Sequence, residues 1–325
     1  MIKTYFYHHE DKTMYHDVDL NQKDELLASP QNLLWIDLFD CTASELNEIG
    51  RIFDFHPLAL EDCLQESPRA KVDRYDDYSF FVFHALRYFE EAEEEDEITS
   101  IELDVFMGSN YVVTIHPVAL AAVGKLARVC LKDIQYMLLG PEHLLYRIID
   151  NIVDDYYPIM ERLGERIDDL EDNIFIKRGQ ETFEEILALK TTLILLRKVL
   201  IPQRRIFGNV GNHYSFFVND ENVPYYVDLL DHMDSILDTS NTYRDLVNSS
   251  TEIYYSIISG RTNEIITVLT IMTVIMMPLT VITGFYGMNV NLPGMHNPWA
   301  SFSILGGMML LSLGMLVFFR RRRWI

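Results

Sequence analysis

Cysteine is scarce: residues 41, 63 and 130 carry the only thiols in 325 residues, and no two form a CxxC pair. An odd, scattered set excludes a disulfide framework and a zinc knuckle, and fits a reducing compartment. Glycine-rich phosphate loops of the GxxxxGK or GxGxxG type are missing, as are a GxSxG elbow and an HExxH pair. Without these signatures, and with ten scattered histidines, no enzyme is expected. Basic residues are also few, with 27 Lys and Arg against 49 Asp and Glu, for a net charge of −22. So acidic a chain is not expected to hold a nucleic acid, whose phosphates need a basic surface. Acidity itself is confined. After Glu264 there is no Asp, Glu or Lys, and Arg320, Arg321, Arg322 and Arg323 are the only charges. The first 264 residues therefore carry a net charge of −26, and the last 61 are almost wholly apolar.

That tail holds two uncharged runs, 265–286 and 299–319. Each is about the 20 residues needed to cross the hydrocarbon core of a bilayer. A buried hairpin in a soluble core fits poorly, because the runs lie side by side with charged flanks. Arg261 precedes the first and the four arginines follow the second, while the linker 287–298 has neither Lys nor Arg. By the positive-inside rule both termini face the cytoplasm and the linker faces out, in a plasma or inner membrane. Trp299 and Trp324 stand where interfacial aromatics belong. The opening MIKTYFYHHEDK is too polar and acidic for a secretory signal, so the large acidic part is expected in the cytoplasm.

Two helices cannot enclose a hydrophilic path, so any such path needs several copies around one axis. Written as a heptad, the first span has Asn263, Thr270, Met277 and Gly284 at a, and Ile266, Thr273 and Thr280 at d. This is the smaller, more polar face of an Ile/Val/Leu/Met helix. Helix packing through Thr and Gly explains the stripe as well as a wet lumen does. Stepping back in phase gives Ser259, Ser256, Glu252, Ser249, Asp245, Thr242 and Asp238, all polar, where a coiled coil would place Leu or Ile. An ordinary solvated helix face is the bland alternative. Continuity with the membrane stripe favours a hydrated, electronegative conduit.

Residues 1–140 read as a mixed α/β domain. Strands are expected at 3–7, 33–38, 79–88, 101–107 and 111–115, and helices near 43–53 and 57–64. The run 90–97, with seven acids in eight residues, reads as a solvated hairpin loop. From 141 to 222 the pattern is helical and acidic. Leu163, Ile167, Leu170 and Ile174 make one apolar stripe, and 181–205 is expected to pair back antiparallel. A stalk helix beginning near Pro224 continues into the first span at about residue 265 and ends near 286. Then come the loop 287–298, the second span and a basic tail, 320–325. The fold class is thus an α+β cytoplasmic domain with a mixed sheet, a long stalk helix and two C-terminal transmembrane helices.

The tripeptide Gly287-Met288-Asn289 follows Tyr286 at the outer end of the first of two C-terminal spans, with Met277-Pro278-Leu279-Thr280 upstream. In that position it resembles the signature of the CorA family of magnesium and cobalt transport proteins. His56-Pro57-Leu58, Leu60-Glu61-Asp62, Val153-Asp154-Asp155-Tyr156, Val223-Pro224-Tyr225 and Thr262-Asn263-Glu264 extend the resemblance over nearly the whole chain. It implies a homopentamer of cytoplasmic funnels in a lipid bilayer, passing divalent cations. Carried over by position, Asn289 rings the outer mouth, with Gly287 and Met288 shaping that turn. Asn263, Ile266, Leu269, Thr273, Met277, Thr280 and Gly284 face the pore, joined on the seam by Thr270, Glu252 and Asp245. Asp62 and Asp228 match the family's regulatory cation site between subunits, and Glu61 and Asp155 a secondary one. Mg²⁺ is then both substrate and regulatory ligand, with Co²⁺ and Ni²⁺ as surrogates. The outer loop departs from the family pattern: 290–298 has no acid, leaving capture to Asn289. Proton-coupled zinc transport is the alternative that His296 could serve, but that branch carries GIN where this chain has Met288. A membrane-tethered Mg²⁺ sensor without flux is the other alternative.

Overall fold

The computed structural model describes residues 1–88, 98–176, 180–208, 218–288, 299–322 and 324. The acidic run 90–97 and the loop residues 289–298, Asn289 and His296 among them, lie outside the described residues. The described chain forms two compact units, Met1–Ser250 and Thr251–Ile325.

The first unit is built on a seven-stranded sheet: β1 (Ile2–His8), β2 (Thr13–His16), β3 (Leu33–Phe39), β4 (Lys71–Arg74), β5 (Tyr78–Tyr88), β6 (Ile98–Gly108) and β7 (Tyr111–His116). The order is β2-β1-β3-β7-β6-β5-β4. Only β3 and β7 pair in parallel, so the sheet is mixed, as expected. All five expected strands are present. The two extra strands, β2 and β4, have four residues each and sit at the two edges. Neither offers a buried alternating face, which is why periodicity did not reveal them.

The β5 and β6 sequences, YSFFVFHALRY and ITSIELDVFMG, are largely apolar, with Glu102 and Asp104 on one face of β6, and both faces are covered. On one face lie α1 (Lys23–Leu26), which precedes β3, and α2 (Ala43–Phe53) and α3 (Pro57–Asp62), which follow it. Thr42 caps α2, with Glu45 returning the bond in a full capping box. At α3, Pro57 takes the first helical position and the His56 Nδ1 accepts the Leu58 N–H at 3.2 Å. Phe55 stacks on Phe106 at 3.9 Å, fixing this layer to the sheet. On the other side are α4 (Ala121–Cys130), α5 (Gln135–Leu138), α6 (Gly140–Asp154), α7 (Tyr156–Asn173) and α8 (Gln180–Phe207).

Leu163, Ile167, Leu170 and Ile174 are buried, and Glu165, Asp168, Asp169, Glu171 and Asp172 are exposed. Arg166 donates to Glu185 at 2.8 Å across the α7–α8 pair. The helix α9 (Val223–Tyr286) runs for 64 residues, beginning beside Pro224 as expected. Its first turns are anchored by Glu142: the Asn222 amide donates to Glu142 Oε2 at 3.1 Å, and the Tyr226 hydroxyl to the Glu142 carbonyl at 2.7 Å. In the second unit the remainder of α9 faces α10 (Ala300–Arg321).

One buried polar knot lies under β5 and β6. Glu102 accepts the Ser67 N–H at 2.6 Å, and His84 Nε2 lies 2.8 Å from the Ser67 carbonyl. Burial pushes Glu102 up to about 7 against the bonding Ser67 N–H, and Asp104 beside it is raised well above a normal carboxyl. In the unfolded chain Glu102 releases its proton near pH 4.5, so between that pH and about 7 the folded state holds the extra proton. Stability from this group is therefore full below pH 4.5 and lost as pH rises through 7. Glu102→Gln is expected to raise the melting temperature at pH 8 and leave it unchanged at pH 4.5, as read by differential scanning fluorimetry across pH.

Candidate cation sites

In the first unit, the carboxylates singled out in the sequence lie on three helices. Glu61 and Asp62 occupy the last turn of α3, Asp155 the junction of α6 and α7, and Asp228 the second turn of α9. Asp62 is half-buried and accepts an ion pair from Lys71 on β4 at 2.6 Å, and Lys71 also reaches Asp73 at 2.9 Å. Partial burial works against the Lys71 charge, but hydrogen bonds to Asp62 and Asp73 outweigh it and push the ammonium up to about 12. Asp62 is thus already holding a cation, supplied by the chain. Glu61 is exposed and takes a bond from Gln65 at 3.3 Å. Asp228 is exposed, with His232 one turn on at 3.9 Å. Among the described residues no hydrogen bond or ion pair joins Asp62 to Asp228, or either one to Asp155.

The packing assembles another group that the sequence did not reveal. Asp150 and Asp154 of α6 and His232 of α9 bring ligand atoms within 4.8 Å of one another. Asp150 is buried, and its carboxyl is raised by that burial and by Asp154, against the pull of Arg147 and His232. Two carboxylates and an imidazole form a mixed hard and borderline donor set, able to take a divalent cation softer than Mg²⁺. Residues 150 and 232 are 82 apart in sequence, so no spacing signalled their meeting.

The polar stripe of α9 is exposed along its length. Within the first unit, Asp238, Thr242, Asp245 and Ser249 are exposed, while Met233, Ile236, Leu237 and Val247 on other faces are buried. Within the second unit, Glu252, Ser256, Ser259, Asn263, Ile266, Thr270, Thr273, Met277, Thr280 and Gly284 are likewise exposed, as is Leu269. Gly287 and Met288 end the helix, the Gly287 N–H bonding back to Thr283 at 2.8 Å. The threonine hydroxyls are turned inward for their protons. Thr270 donates to the Ile266 carbonyl at 2.7 Å, Thr273 to Leu269 at 2.8 Å and Thr280 to Met276 at 2.9 Å. A back-bonded hydroxyl has no proton left to offer, so each oxygen presents only acceptor lone pairs. Bound water on a cation points its hydrogens outward, which is the partner such a surface suits.

The second unit also fixes the course of the hairpin. Leu279 of α9 and Leu305, Met308, Met309, Ser312, Leu313 and Leu316 of α10 line one apolar groove. Trp324, stacked on Phe319 at 5.7 Å, lines another recess with Asn263, Glu264 and Ile266. Trp324 therefore lies beside the stretch at which the apolar part of α9 begins. Both helices are long and apolar enough to cross a membrane. Ile265, Val268, Met272, Leu310, Leu313 and Val317 stay exposed on them, a surface that lipid or other copies must cover.

An acidic α/β unit, a long helix and a C-terminal apolar hairpin define a class of membrane transport protein, and comparison with known proteins agrees. Residues 30–321 match the family model of the CorA-like Mg²⁺ transporter protein. The chain belongs to the CorA family. It is 32% identical over 291 residues to a putative metal ion transporter of Bacillus subtilis, covering 89% of each chain. With the cobalt/magnesium transport protein CorA of Thermotoga maritima it shares 31% identity over 298 residues, covering 90% of this chain and 83% of that one. The complete structure of the CorA magnesium transporter from Methanocaldococcus jannaschii superposes with a TM-score of 0.84 at 25% identity, covering 100% of this chain and 99% of that one.

Any divalent cation arriving at Asp62 must displace Lys71. A partly exposed ion pair is worth roughly 0.5–1 kcal/mol, so Lys71→Met is expected to tighten divalent binding at these carboxylates about two- to fivefold. Calorimetric titration of the purified protein with Mg²⁺ checks this, and an unchanged affinity would show that Lys71 does not compete.

Proposed function

We propose that this protein is a channel-like importer of hydrated Mg²⁺, accepting Co²⁺ and Ni²⁺, in which copies of α9 surround a central conduit. Five copies are the number implied by the family resemblance. One observation carries the reading: the exposed stripe of α9, whose threonine oxygens can only accept, continues through the membrane segment without a charge or a thiol. Mg²⁺ gives up its waters reluctantly. A lumen of neutral oxygens can hold the hydrated ion by hydrogen bonds to its water shell, without stripping it. Asn289 at the outer mouth offers an amide carbonyl of the same kind, with Gly287 and Met288 shaping the turn that presents it. Pro278 has no N–H for the Val274 carbonyl, which adds one more acceptor inside the helix. No thiolate or imidazole lies on the stripe, so softer metals gain nothing there. A membrane potential of 100 mV supplies about 4.6 kcal/mol for a doubly charged ion moving inward, and no nucleotide hydrolysis is needed. This orientation has both termini in the cytoplasm.

Regulation follows from charge. The acidic part of each subunit repels its neighbours in a symmetric assembly. Mg²⁺ bridging Asp62 of one subunit and Asp228 of the next, with Glu61 and Asp155 as a secondary site, offsets that repulsion and holds the conduit narrow. When Mg²⁺ falls, the bridges empty and the Leu269–Met277 constriction widens and wets.

Flux into proteoliposomes tests the reading. Mg²⁺ uptake is expected to follow an inside-negative potential and to be indifferent to a pH gradient. Uptake of Zn²⁺ that needs a proton gradient would favour the zinc branch, and no flux of any cation would leave a sensor. Thr273→Val or Thr280→Val is expected to lower Mg²⁺ flux about fivefold each, the worth of one hydrogen bond of about 1 kcal/mol. Asp228→Ala is expected to make flux insensitive to Mg²⁺ on the cytoplasmic face, and persistent inhibition would defeat the bridging mechanism.

A further inference from the structure

The first unit carries a concentration of positive charge outside the conduit, and only Lys71 of it is shared with the carboxylate sites. A cavity of about 900 Å³ opens between β4 with its lead-in, α8 and the nearby turns of α9. One face of α8 supplies Lys190, Arg197, Lys198 and Arg205, β4 and its lead-in Lys71 and Arg69, and α9 Arg244. Seven cations line it and not one Asp or Glu, in a chain whose net charge is −22. Lys71 is paired with Asp62 and Asp73, Arg244 with Asp245, and Arg197 donates to the Asn241 amide. Arg69, Lys190, Lys198 and Arg205 have no carboxylate within ion-pair distance among the described residues. Unpaired cations on one concave wall repel one another, and an arrangement of this kind persists most readily when an anion occupies it.

The wall is not purely basic. Leu193, Ile194 and Ile201 come from the same face of α8, at three- and four-residue steps between the cations. Ile194 is 67% exposed, a large apolar side chain left bare among ammonium and guanidinium groups. The volume falls within the range of small-molecule sites, and an apolar floor with a few convergent polar groups is the usual form of one. A ligand matching both features has several negative charges at one end and a flat apolar group at the other. Arginine forks suit phosphate oxygens, and lysines add mobile point charges. We propose that this cavity binds a nucleoside polyphosphate, its phosphates on Lys190, Lys198, Arg205 and Arg69 and its base on Ile194 and Ile201.

The site is independent of the conduit, and its test reads binding without flux. ATP withdraws Mg²⁺ from solution, so binding to the full-length protein in detergent is measured calorimetrically in divalent-free buffer. Saturable ATP binding is expected, weakened by added salt. Inorganic tripolyphosphate is expected to bind more weakly than ATP, and adenosine not at all. Lys190→Glu combined with Lys198→Glu is expected to raise the ATP Kd by at least about tenfold. Charge reversal at the remote, exposed Lys3 and Lys12 is expected to leave it unchanged. Ile194→Asp is expected to weaken ATP more than tripolyphosphate; it alters an exposed side chain and spares the fold, which size exclusion and circular dichroism verify. The proposal is overturned if ATP does not saturate, if the remote reversals weaken binding as much as the cavity pair, or if ATP is displaced by a short-chain anionic phospholipid and not by tripolyphosphate.

Discussion

A threonine hydroxyl that gives its proton to its own helix needs no acceptor outside it, and the reading of this protein depends on that bond. Thr267, Thr270, Thr273, Thr280 and Thr283 each return their proton to a carbonyl one turn earlier. The bond that makes these residues tolerable in a membrane also fixes what they show to the outside, namely oxygen without hydrogen. Serine and asparagine continue the row toward the acidic part of the chain. Selectivity of this kind needs no buried charge, and so avoids the large penalty of desolvating one. The conduit proposed above would reject no divalent ion by strong ligation, and a relative from Thermotoga maritima is named for both cobalt and magnesium.

Charge in the acidic unit is less uniform than its net value indicates. The carboxylates proposed for regulation have partners from the same chain, the Lys71 ammonium at Asp62 and the His232 ring at Asp228. A resident cation such as Lys71 lowers the affinity for an arriving one, and a site of the proposed kind, sensing an abundant ion, must bind it weakly. The cationic wall of α8 concentrates the opposite sign a few residues away along β4. The unit is therefore polarised, and net charge alone would have concealed it.

Much of this architecture was legible because long periodic segments dominate it. The α7 stripe, the start of α9 beside Pro224 and the two apolar runs were each set by hydrophobic spacing that tertiary structure had no reason to override. The central strands were legible through their apolar runs. Illegible were features created by packing alone: the edge strands β2 and β4, too short for any period to register, and the meeting of Asp150 and Asp154 with His232. Glu102 and Asp104 read as ordinary alternating polar residues of a strand, and only the cover of α3 and its neighbours raises the pKa of their carboxyls. The stripe of α9 was visible in the sequence, but the direction of its hydroxyl protons was not, since a heptad pattern does not distinguish a donor from an acceptor.

The position of Lys71 has a further consequence. Strand β4 is an open sheet edge of four residues, KVDR, which leaves backbone groups able to pair with another chain. Charged side chains at such an edge deter sheet-to-sheet aggregation. Lys71 thus guards the edge, occupies Asp62 and contributes to the cationic wall. If Asp62 senses Mg²⁺ as proposed, loss of this lysine would tighten sensing and also expose the newly made protein to misassembly, so solubility during synthesis limits how tightly such a site can bind its ion.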